Sequence, residues 1–185
     1  MIMTDKGEVN LFILKVGAIL GLSFAATIYI AHLRGMAHFP GDNISWINTL
    51  VFVFVVLFSG RQYREAVEGD KFVYGRALLY ITKVNVISAT VLAVFGYFYY
   101  TSIAPDDLQS IIGQIEPVLR QQWKMNDEQT AAMMQLYNES LSGGSMAVVM
   151  FILQLIRATF WGLLLAVIIK TKRHISINIS NNNEY

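Results

Sequence analysis

Four long apolar stretches, parted by short polar links and one longer one, organise this chain of 185 residues. They run over Val9–Leu33, Ile44–Gly60, Leu79–Ile103 and Met146–Ile169. A helix needs about 17–25 predominantly apolar residues to cross a bilayer. Each block approaches or exceeds that length. Lipid offers no partner to backbone N–H and C=O groups, so such blocks satisfy them internally, as helices. The pattern predicts an all-α membrane protein: four transmembrane helices with a two-helix amphipathic external segment between spans three and four. Residues 1–173 read as a single four-span membrane domain. Residues 174–185 read as a polar, Asn-rich tail with too little apolar surface to order itself.

The external segment covers residues 104–145. Pro105-Asp106-Asp107 is a good helix start, with proline early and acids against the positive end of the helix dipole. Leu108, Ile111, Ile112, Ile115 and Leu119 follow at helical spacing and make one apolar stripe. Pro117 is expected to kink or break that helix. Asn126 with Gln129 forms a capping-box pair for a second helix. That helix carries Met133, Met134, Tyr137 and Leu141 on one face and is expected to end near Gly143-Gly144. The simpler reading packs both stripes on the membrane surface or on the outer ends of the spans. The sharper one docks a partner protein on Trp123, Met133, Met134 and Tyr137, since methionine-rich faces adapt to partners.

Charge orients the bundle. Lys6, Lys15, Arg61, Arg64, Lys71, Arg76, Lys83, Lys170, Lys172 and Arg173 fall on one side of a four-span layout, and only Arg34, Arg120 and Lys124 on the other. Basic residues mark the cytoplasmic side, which places both termini there. The second span is expected to end at Ser59-Gly60, with a short helical turn near Arg64–Glu68 and Gly69 and Gly75 punctuating the inner link. Trp46, Tyr80, Tyr97, Tyr99 and Tyr100 fall near span ends, where an aromatic belt is expected.

Composition agrees with this picture and excludes alternatives. Hydrophobic residues make up 55% and mean hydropathy is +0.46, which places the chain in lipid rather than water. A net charge of +1 lacks the basic face that nucleic acid requires. The absence of cysteine removes disulfides and thiolate metal sites. Ser23-Phe24-Ala25 has the small residues of a signal cleavage site, but the first block is too long for a signal core and Asp5 and Glu8 precede it.

Arg157 is the residue out of place. It lies near the middle of the fourth block, and an arginine there costs roughly 2.5–3.5 kcal/mol on insertion scales. It should face the bundle interior or a water-filled cavity. No block offers a carboxylate at that depth. Gln154, three residues earlier, shares its face. Asn48, Thr49, Ser88, Thr90 and Thr159 are further polar candidates. Arg157 and Gln154 therefore read either as a structural knot or as a contact for an anion, a lipid headgroup or a substrate. Gly17, Gly21 and Ala25, and again Ala158, Gly162 and Ala166, form ladders of small residues that let helices approach closely. Packing within the bundle is the simpler reading, a homodimer seam the other.

His32, His38 and Asp42 gather outside the first block, but their spacing matches no zinc motif, so no metal is expected. Lys15-Val16…Tyr29 and Lys83-Val84…Tyr97 share a spacing of fourteen residues, which hints at two related hairpins and is explained equally by snorkelling lysines. Nucleophile elbows, phosphate loops, dinucleotide fingerprints and zinc-protease motifs are all missing. The chain is expected not to be an enzyme and to hold no cofactor.

Several short motifs carry a resemblance. They are Lys15 with Gly17 in the first span, Arg61-x-Tyr63-Arg64…Gly69-x-x-Phe72-x-x-Gly75 in the inner link, the step Ile103-Ala104-Pro105, and a last span with Gly162 that ends in Lys170 and Lys172. Over roughly Leu11–Arg173 the chain resembles the uncharacterised bacterial four-span membrane proteins grouped as domain of unknown function 4199. The resemblance implies a bacterial inner-membrane location and four spans, and no activity. The resulting expectation is a structural or accessory subunit of a bacterial envelope complex, bound to a protein partner or to its own copies. The alternative is a small oligomeric transporter, lipid-handling protein or channel with a cavity around Arg157.

Overall fold

A computed structural model describes residues 6–35, 45–67 and 73–170. All the regular structure in these residues is helical: α1 (Lys6–Leu33), α2 (Ser45–Val67), α3 (Tyr74–Phe98), a π-helical turn (Tyr99–Ile103), α4 (Pro105–Gln121), α5 (Asp127–Ser140) and α6 (Gly143–Lys170). Four of the helical segments are long and apolar enough to cross a membrane. The chain is a multi-pass membrane protein. His38, Asp42, Glu68, Gly69, Lys71, Phe72, Lys172, Arg173 and the tail 174–185 lie outside the described residues.

The spans run longer than their apolar blocks. A helix of 28 residues, the length of α1 and of α6, is about 42 Å long. That exceeds the ~30 Å hydrocarbon core, so polar turns at each end stand in the headgroup region. α2 passes through Ser59-Gly60 instead of ending there, and the expected separate turn near Arg64 is its last turn. A glycine ends a helix only when water or a cap can take over its free carbonyls. Gly60 instead lies against Ile169, where a Cβ would collide with that side chain.

Gly143-Gly144 also differs from expectation: it opens α6 rather than closing α5. Ser142 caps the start, its Oγ accepting from the Ser145 N–H at 3.2 Å while the Ser142 N–H donates to Ser145 Oγ at 2.7 Å. Gly143 sits so close to Thr101 and the Tyr97 carbonyl that a side chain would overlap them. α4 is continuous through Pro117. The end of α3 has a local cause. Pro105 disfavours helical backbone at Ala104, which takes φ −140° and ψ 61°. The Ala104 N–H then closes the π-turn on the Tyr99 carbonyl at 2.8 Å.

α3 is the central helix, packed most extensively on α6 and on α1. α2 closes the bundle across α1 and α6. The glycine ladder of α1 forms the α1–α3 seam: a Cβ on Gly17 would stand 2.7 Å from Ile87 Cβ, and one on Gly21 2.7 Å from Val91 Cβ. Ala25 is buried on the same helix. On α6, Gly162 abuts Ile81, and Ala158 and Ala166 are buried. Both ladders thus lie at seams within the bundle. Tyr63 stacks on Tyr80 at 4.5 Å, and Phe12 on Tyr80 at 6.5 Å, tying three helices near the end where α1 begins. Tyr80, Tyr99 and Tyr100 are buried, so they are core residues rather than belt residues; Trp46 and Tyr97 are exposed.

Candidate functional site

The polar residues that the spans cannot place in lipid meet at one depth. Arg157 stands near the centre of α6, about 20 Å from either end at the helical rise. Its Nη2 donates to Gln154 Oε1. Its guanidinium carbon lies 5.2 Å from the centre of the Phe24 ring on α1, within cation–π range. Gln154 is buried, and its Nε2 donates to Asn85 Oδ1 on α3 at 3.3 Å. Ser88, also buried, donates its hydroxyl to the Asn85 carbonyl at 3.0 Å. Arg157, Gln154 and Asn85 therefore connect α6 with α3, and Phe24 brings in α1.

α2 contributes at the same level. Arg64 donates to the Ile169 carbonyl at 2.8 Å, and Gly60 touches Ile169, so the C-terminal ends of α2 and α6 are in register. Asn48 lies twelve residues before Gly60, and Arg157 twelve before Ile169. Both are about 18 Å up their helices. Asn48 is only 5% exposed, and its Oδ1 is buried without a hydrogen-bond partner. Glu8 and Glu65 are the acidic residues of the four spanning helices. Glu8 sits in the first turn of α1 and Glu65 near the end of α2, both well away from this layer. Arg157 is half-buried, not sealed.

Asn85 escaped the sequence reading, although its signal was present. It is the lone side-chain amide in the third apolar block and shares a face with Ser88 three residues on.

A second polar cluster lies where α1 ends and α4 begins. Tyr99, fully buried, donates its hydroxyl to Asp107 Oδ2. His32 Nδ1 is 3.4 Å from the same oxygen, and the His32 ring meets Tyr99 edge-on at 5.6 Å. The cluster fastens the C-terminal end of α1 to α4. His32 thus has Asp107 as its carboxylate neighbour; His38 and Asp42 lie outside the described residues. Among the described residues no group of three or more His, Asp or Glu is arranged to hold a metal.

The external hairpin is built as a clasp. Asn126 and Gln129 form the reciprocal capping box. Arg120 donates to Asp127 and, at 3.0 Å, to Glu116, and these two acids, Asp127 first, raise the Arg120 pKa above its ordinary value. Leu108, Ile111, Ile112 and Leu119 are buried. Met134 and Leu141 pack against the core, while Met133 and Tyr137 are half-buried. Trp123, 59% exposed, projects from the α4–α5 link.

Comparison with curated proteins and with solved structures yields no match. A family described as "Protein of unknown function (DUF4199)" matches residues 15–171. That stretch takes in α2, α3 and α6 whole, α1 from Lys15 onward and both polar clusters, and the chain belongs to this family.

Proposed function

We propose that the protein is a non-enzymatic structural or accessory subunit of a complex in the bacterial inner membrane, with both termini in the cytoplasm. The observation that carries this reading is the use made of Arg157. Its guanidinium is committed to Gln154 and Phe24, and Gln154 to Asn85, so the costly charge joins helices. Intramembrane charges are functional candidates by default; here the function is assembly. The exposed Trp123 outside the membrane fits a protein contact, as aromatic anchors do at interfaces. The chain also carries none of the motifs of catalysis. Its ten-to-three distribution of basic residues supports the orientation.

A second reading has its own support. The buried, unpartnered Asn48 Oδ1 at the depth of half-buried Arg157 is what an oligomeric transporter, lipid-handling protein or channel would present to a polar cargo. The mass and composition of the assembly, extracted gently from its native membrane, decide between them. A stable heteromer is the expected result. A homo-oligomer alone would overturn the accessory reading in favour of the second.

A further inference from the structure

We infer that Lys15 and Lys83 form a site for anionic phospholipid headgroups, on the lipid-facing surface of α1 and α3 in the leaflet where those two helices begin. Contacts along the α1–α3 seam set the two lysines level. Gly17 meets the Val84 carbonyl and Ile87, and Gly21 meets the Ser88 carbonyl and Val91, so the helices run parallel. Lys15 is two residues before Gly17, and Lys83 one before Val84. Residues two apart in a helix lie on nearly opposite sides. Lys83 is two residues from Ile81 and Asn85, which meet α6, and Lys15 is two from Gly17, which meets α3. Both side chains therefore turn out of the bundle, and both residues are exposed. Their neighbours about one turn away, Leu11, Ile19, Leu79 and Val86, are exposed and apolar, so the medium around the lysines is lipid.

Depth and charge select the occupant. Each lysine is nine residues past the start of its helix, about 13.5 Å at the helical rise. About 6 Å of a 28-residue helix stands outside a ~30 Å hydrocarbon core at each end, so the lysine Cα atoms lie about 7 Å inside its edge. A lysine stem stretched toward that edge carries its ammonium to the level of the lipid phosphates. Two ammonium groups there need negative charge. Among the described residues neither lysine is in an ion pair. Two turns toward the helix starts, on the same faces, stand Glu8 and Arg76; α3 thus offers no acid, and Glu8 is about 10.5 Å from Lys15 along α1. Glu65 is 3.9 Å from Arg64, and α6 has no acid. A second copy of this chain brings the same lysines to the same depth. The headgroup layer is the source of negative charge at this level, and the proposed orientation puts it in the cytoplasmic leaflet, whose anionic lipids attract basic residues.

The test places the full chain in nanodiscs of phosphatidylcholine with a minor fraction of phosphatidylglycerol that carries a photoreactive group on its headgroup. Irradiation is expected to label α1 and α3 within about a turn of Lys15 and Lys83. Native mass spectrometry of the released protein then counts the phosphatidylglycerol it retains. Retention falls about fivefold for each of Lys15→Gln and Lys83→Gln and survives in Lys15→Arg and Lys83→Arg. Arg61→Gln, which removes a basic residue of α2 away from this face, leaves it unchanged. Labelling confined to the helix ends, equal retention of phosphatidylcholine, an equal loss in Arg61→Gln, or full retention with both lysines changed to Gln overturns the inference. So does a crosslinked second copy that covers the two lysines and keeps the label out. Where a lysine variant folds poorly, the labelling pattern of the unsubstituted chain decides.

Discussion

A guanidinium at mid-membrane depth is retained only when the groups around it recover the cost, and Arg157 recovers it from two directions. Gln154 accepts from it, and the Phe24 ring lies beneath it. Gln154 is itself held by Asn85, so removing either amide leaves a buried polar group without its partner. We expect Asn85→Leu and Gln154→Leu to destabilise the protein singly, and a double-mutant cycle to return a coupling of about 0.6–2 kcal/mol, the range for such bonds in membranes. Reversible unfolding in mixed micelles measures it; additive single effects would show that the 3.3 Å contact carries no energy. Arg157 and Gln154 were legible in the sequence because a charge in an apolar block is conspicuous and a neighbour at i−3 follows from helix geometry. Asn85 was less so: an isolated amide in a span gains meaning only when the residue opposite it is known.

Helix seams and caps carry predictions of their own. Gly17 is pressed against Ile87 and the Val84 carbonyl, whereas Gly75, in the first turn of α3, has nothing within 4 Å of an added Cβ. Gly17→Leu should force α1 off α3 and cost about 1–3 kcal/mol, as overpacking does, while Gly75→Ala should be neutral or mildly stabilising. Thermal melting in detergent compares the two; equal effects would contradict the seam. Asn126→Ala removes one half of the capping box and should loosen α5 by about 1 kcal/mol, read as faster amide exchange over 127–133 with α1 and α3 unchanged. The elements themselves were legible because period and capping are local signals. Their limits were not. Gly60 and Gly143 looked like helix ends, and each is instead a point where another helix passes too closely for a side chain.

At the scale of the molecule, four spans, a central α3 and an external clasp make a small bundle whose two polar clusters stand at different depths. Its orientation is open to direct measurement because the chain has no cysteine to interfere. Trp123→Cys should react with a membrane-impermeant thiol reagent applied to spheroplasts, and Arg61→Cys only after lysis; the reverse pattern would invert the proposed topology. The number of spans, the capped external helices and the sidedness of charge follow from sequence because each depends on hydropathy, period or composition within a single stretch of chain. The tertiary structure alone decided which helix is central, that His32 meets Asp107, that Met134 packs against the core, and that Asn48, Asn85, Gln154 and Arg157 share one level. These are matters of register between distant segments. In a lipid solvent that wets every apolar face equally, register is set by where small residues let backbones touch and where buried polar groups find one another.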